Sequence, residues 1–193
     1  MVLPSFSFPS PSFSLARLAR ARQGIAAVEF AFIAPLFVLL MAGVSDVSLF
    51  IIKRMKADAA VSSAANQALT SGAGLTSSTA DSTANLLAAI LRAPDPGGTA
   101  RILINGSRQY DVTATTITAS GPASAADECR CPTSSGGTIT WGGAVSCTST
   151  CASGAPAGKY VSIAYNRPYK TMFPNYGVIP GNGITIQTAA QVQ

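Results

Sequence analysis

From Ile25 to Ile52 the chain reads IAAVEFAFIAPLFVLLMAGVSDVSLFII, and Glu29 and Asp46 are its only charges. A helix that crosses a bilayer needs about 20 mostly apolar residues, each rising about 1.5 Å. This run is long enough to cross. A buried core helix is the alternative, but nothing downstream is apolar enough to enclose it. Charged residues make up 11% of the 193, against roughly 25% in an average chain. The deficit fits an apolar span joined to a neutral, Ser/Thr/Gly-rich remainder.

The basic residues mark the ends of that run. Arg17, Arg20 and Arg22 precede it, and Lys53, Arg54 and Lys56 follow it, which accounts for six of the 13 cations. Such flanks read as membrane boundary markers. A nucleic-acid surface would instead gather cations in a stripe with interleaved aromatics, so no nucleic-acid partner is expected. A removable secretory signal is the other reading of the run, with Gly43-Val44-Ser45 as small residues before a cut. The apolar length exceeds the usual signal window, and Val47, Leu49, Phe50, Ile51 and Ile52 resume it after Asp46. An uncleaved helix is therefore the expectation.

A carboxylate at mid-membrane costs about 2.5–3.5 kcal/mol on insertion scales. Glu29 lies four residues into the run, near one interface, and its placement there is either simple solvation or pairing with a positive group inside an assembly. Asp46 lies on the order of 25 Å further along a helix, where solvation at the opposite interface is expected. Pro35 removes one backbone hydrogen bond and crowds the carbonyl of Ala31. An inert kink is the expectation there, since membrane helices tolerate proline.

The chain contains no histidine. A Ser-His-Asp triad, a Cys-His dyad and any His-ligated metal are excluded. No other nucleophile and base form a constellation, so neither enzymatic activity nor a cofactor is expected. The four cysteines fall in one segment as Cys129-x-Cys131 and Cys147-x3-Cys151. Zinc ribbons favour CxxC pairs, so two disulfides in an oxidising compartment are expected and no metal. A Cys129–Cys131 bridge would be strained, which leaves a crossed or a nested pairing. The nested form, Cys129–Cys151 with Cys131–Cys147, would staple a hairpin around Thr138–Trp141. Disulfides put the C-terminal domain outside the cytoplasm and the N-terminus inside.

The segment RARQGIAAVEFAFIAPLFVLLMAGVSD resembles the TadE-like pseudopilins of Tad (Flp-type) pilus systems. The features that carry the likeness are the basic leader, Gln23-Gly24, the apolar helix with Glu29-Phe30, then Pro35, Gly43 and Asp46. The resemblance implies cleavage by a prepilin peptidase between Gly24 and Ile25, leaving Glu29 as the fifth mature residue. It implies assembly through Glu29 and Phe30, with other pilin-like subunits and pilus machinery as partners in the inner membrane. It also implies a single-pass chain with a periplasmic domain, acting in pilus assembly or entering the fibre. A cut after Gly24 exposes an amine on Ile25 that Glu29 of a neighbouring subunit could neutralise, relieving two charges buried together. It also removes three arginines, taking the side-chain charge from +5 to +2. Small residues Ala26, Ala27, Ala31, Ala34, Ala42 and Gly43 suit close helix packing. A disulfide-stapled binding module released by signal peptidase is the alternative.

The chain therefore divides into a leader (1–24), a transmembrane helix (25–52), a helical stem (53–70) and an extracytoplasmic domain (71–193). Lys53 to Leu69 lacks Gly and Pro and is alanine-rich, which continues the helix until Gly72 and Gly74. Ser82 to Arg92 reads as a short amphipathic helix burying Leu86, Leu87, Ile90 and Leu91. Asp81 or Ser82 caps it, and Pro94-Asp95-Pro96-Gly97-Gly98 stops it. Strands are expected at Arg101–Ile104, Gln109–Ala119, Thr138–Trp141, Lys159–Tyr165 and Ile184–Val192, with a hairpin at Asn105-Gly106. The fold class is α+β: a long N-terminal membrane helix with stem, then a small antiparallel, pilin-like sheet domain with one short helix.

Overall fold

The computed structural model describes residues 23–94, 97–136, 138–171 and 183–193. The leader through residue 22 and the Asp95-Pro96 part of the helix stop lie outside the described residues. The chain divides into two compact units, 1–44 and 45–193. One helix, α1 (Gln23–Ser71), contributes to both and runs through Pro35 without a break.

In the first unit, none of the residues from Gly24 to Val44 is buried. The large apolar side chains there stay open, with Phe32 81% exposed and Phe30 71%. Gly24–Gly74 holds a window with mean hydropathy 2.4, long and apolar enough to cross a membrane.

The second unit is an α+β domain. Its sheet has five antiparallel strands in the order β3-β2-β1-β8-β9. These are β1 (Thr99–Ile104), β2 (Arg108–Val112), β3 (Ile117–Ser120), β8 (Tyr160–Arg167) and β9 (Ile184–Gln191). Side chains alternate across a strand, and the inner face follows directly: Ala100, Ile102 and Ile104 on β1, Tyr110 and Val112 on β2, Val161, Ile163 and Tyr165 on β8 are all buried. Two helices cover that face. From α1 come Ala57, Val61, Ala64 and Ala68, a helical stripe of small residues. From α2 (Ala80–Arg92) come Ala84, Leu87, Ala88 and Leu91. Each fully buried Leu or Ile contributes about 1.5–3 kcal/mol from its removal from water.

Details differ from the pattern-based expectations. The buried stripe of α2 is centred on Ala84, Leu87, Ala88 and Leu91, and Leu86 points outward at 44% exposure. Thr79 occupies the N-cap without a side-chain cap bond, and Asp81 serves elsewhere, as described below. The stretch expected as one strand from Gln109 to Ala119 is two, β2 and β3. A turn separates them, closed by Thr113 N–H to the Thr116 carbonyl at 2.9 Å.

Between β3 and β8 the chain makes an excursion of small two-stranded ribbons. β4 (Cys129–Arg130) pairs with β7 (Ala144–Val145), and β5 (Thr133–Ser135) pairs with β6 (Thr138–Thr140).

Candidate functional site

The chemistry-bearing residues of the span lie on one exposed helix. Gly24, Ile25, Glu29, Phe30 and Pro35 all belong to α1, and Ile25 is 59% exposed. Glu29 is exposed too. Four residues separate it from Ile25, so the two lie about one turn apart on nearly the same face. This surface offers apolar side chains and one carboxylate with no partner among the described residues of its own unit, which suits lipid or other helices rather than water.

Asp46 is different. It belongs to the second unit and is fully buried, so the expected solvation at an interface is replaced by enclosure within the domain. The segment that follows β8 packs against this turn of α1. Tyr169 donates its hydroxyl to the Asp46 carbonyl at 3.1 Å, sets its ring edge-on to Phe50 at 5.3 Å, and lies under the Lys53 ammonium at 5.4 Å. A residue 123 positions away thus packs against the turn that carries the acid.

The four cysteines form two bridges, Cys129–Cys147 and Cys131–Cys151. The pairing is crossed, not nested, and all four thiols are consumed, which overturns a four-thiolate zinc reading. The ribbon decides it: β4 sets Cys129 opposite Val145, which places Cys147 within reach and points Cys131 past the ribbon toward Cys151. Among the described residues no group of three or more His, Cys, Asp or Glu is placed to hold a metal.

Asn105 anchors this excursion to the sheet. Asn105 and Gly106 turn the β1–β2 hairpin with φ of 49° and 69°, the left-handed region that Asn and Gly tolerate. A Cβ at Gly106 would strike the Trp141 ring, so close packing also demands glycine. Fully buried, Asn105 donates its amide to the carbonyls of Ala125 (2.8 Å) and Glu128 (2.7 Å) and accepts from Tyr160 N–H at 2.7 Å. It therefore ties the approach to Cys129 to two strands. Arg130 adds bonds to the Gly142 carbonyl (2.8 Å) and Ser107 (3.1 Å), and pairs with Glu128.

A second polar cluster pins α2. Tyr110 donates to Asp81 at 2.6 Å, and Arg108 reaches the same oxygen at 3.0 Å. The Tyr110 hydrogen bond, then that of Arg108, holds the Asp81 carboxyl below its usual value of 3.8. Burial, then the Asp81 contact, pushes the Tyr110 phenol up. Lys159 is buried and donates to the Leu75 carbonyl at 2.6 Å. These groups hold elements together. An open groove of about 390 Å³ runs along the outer sheet face between Trp141 and Gln187, lined by neutral residues apart from Arg101.

The sequence reading missed Tyr169, Asn105 and Arg108 as organising residues. Asn105-Gly106 signalled a turn but not the clamp, and nothing local marks Tyr169.

A family model described as TadE-like protein matches residues 24–66. No curated protein and no solved structure matches the chain. The match starts at Gly24 and runs along α1 from its exposed apolar part into the helical stripe of the domain. Over residues 24–66, the chain is similar to TadE-like proteins.

Proposed function

We propose that the chain is a minor pilin-like subunit of a Tad-type pilus, working in its assembly or at its base. Prepilin peptidase would cut it after Gly24. The supporting observation is that the TadE-like match begins at Gly24 and opens onto an apolar helix with no buried residue up to Val44 and with its one carboxylate, Glu29, a turn beyond Ile25. A chain that begins at Ile25 carries an α-amine at the start of the span. Glu29 of an adjacent subunit is the group of opposite charge at the same depth, and pairing removes the cost of two isolated charges in a low dielectric. The subunit performs no bond chemistry of its own. It is a substrate of the peptidase and then a packing partner for other helices. Two disulfides support an oxidising, periplasmic setting for the domain that carries them, with the leader on the cytoplasmic side.

N-terminal sequencing of the membrane-extracted protein tests the proposal. The expected mature chain begins at Ile25, and Gly24→Ala accumulates uncut. A soluble chain beginning near Asp46 would replace this reading with that of a module released by signal peptidase.

A further inference from the structure

The cations of the second unit are segregated. Arg92, Arg101, Arg108, Arg130 and Lys159 are matched in number by Asp81, Asp95, Asp111, Asp127 and Glu128. Lys53, Arg54, Lys56, Arg167 and Lys170 outnumber the two acids left in the count, Asp46 and Asp58. Asp46 is fully buried, and Asp58 reaches Arg54 at a loose 3.9 Å. The Tyr169 contacts to Asp46, Phe50 and Lys53 bring the 167–170 segment to this stretch of α1. Lys53, Arg54 and Lys56 thus share the helix turns that follow the span with the segment that carries Lys170.

The apolar surface leads straight up to it. Leu49, Ile51 and Ile52 remain 41%, 49% and 49% exposed, and the next three residues along the helix include Lys53 and Arg54. Helical side chains tilt toward the helix N-terminus, here back toward the span. Long cationic side chains reach further by laying their stems on apolar surface. Arg54 has a side chain 62% exposed, and Lys56 and Lys170 are exposed. Aromatic rings beside cations are the usual furniture of a headgroup layer. Cations on the exported end of a span also work against the positive-inside bias, so they call for a stabilising partner there.

We propose that Lys53, Arg54, Lys56 and Lys170 form a collar that binds the phosphates of anionic phospholipid headgroups at the membrane surface from which the domain emerges. The collar rests on the membrane-spanning reading of α1 but not on peptidase processing, so failure to find Ile25 as the N-terminus leaves it standing.

The test uses the full chain reconstituted in phosphatidylcholine vesicles carrying spin-labelled phosphatidylglycerol or spin-labelled phosphatidylcholine. The readout is the relative association of each lipid with the protein. Wild type is expected to prefer phosphatidylglycerol, and Arg54→Gln/Lys56→Gln/Lys170→Gln to lower that preference at least about fivefold, the factor that a single cation is worth at an anionic surface. The three residues are exposed, so the fold should persist, and unreactive cysteines check it. Arg17, Arg20 and Arg22 are present in both chains, so the difference reads the collar alone. An unchanged preference in the variant overturns the proposal and assigns the lipid to the leader arginines. Equal association of both lipids with wild type overturns it in favour of an acidic protein partner.

Discussion

The two halves of α1 have nearly the same backbone and opposite surfaces. Between Gly24 and Val44 no residue is buried, although most are apolar. Between Ala57 and Ala68 the buried residues are alanines and a valine. Large side chains face outward where the chain supplies no cover, and small ones face inward where a sheet must approach closely. The difference teaches that hydrophobicity alone does not locate a core. Residue size does, because interiors are close-packed and a stripe of alanines lets a helix sit close against β-branched strands.

Mutations should separate the two halves by mechanism. The largest effect is expected in the domain: Leu87→Ala removes a fully buried side chain at the centre of the helix–sheet core. It should cost about 2–5 kcal/mol, seen as a fall in the thermal midpoint. Next comes Ile33→Arg in the span, where the side chain is 62% exposed. It should leave the domain's stability unchanged but cost about 2.5–3.5 kcal/mol in membrane insertion, read from the fraction of chains that resist carbonate extraction. If Ile33→Arg instead lowered the domain's midpoint, the division at residues 44 and 45 would be wrong.

The smallest effect concerns acid. Asp81 has its pKa lowered in the folded state, so its contribution is present above the unfolded value near 3.8 and is lost as pH falls through the lower folded value. Asp81→Asn should therefore narrow the gap between midpoints measured at pH 6 and pH 3. The carboxylate is 67% exposed, so the narrowing should be only about one degree. A widened gap would show that Asp81 strains the contact of α2 with β2.

Much of this architecture could be read from the sequence because its causes are local. The apolar run, the break at Gly72, the alternation Val161-Ile163-Tyr165 and the turn at Asn105-Gly106 each act within a few residues. Other features depend on partners far along the chain. Asp46 looked solvated because Tyr169, which bonds its main-chain carbonyl, is 123 residues away. Gln109–Ala119 looked like one strand because Thr113–Thr116 carries no Gly or Pro to announce a turn. The disulfide pairing was open because spacing restricts which cysteines can meet, while the β4–β7 register determines which do. In the same way, nothing local to Lys53 announces the Tyr169 ring that the fold sets beneath its ammonium.

The crossed bridges bear on how the domain matures. Each skips a cysteine: Cys129 passes over Cys131 to reach Cys147, and Cys131 passes over Cys147 to reach Cys151. An oxidant that joined thiols in the order they emerged would make neither bond. The native pairs therefore require either that the ribbon close before oxidation or that early, wrong bonds be exchanged afterwards. Maturation of this domain is in that sense a kinetic contest between a four-residue ribbon and the oxidising power of its surroundings.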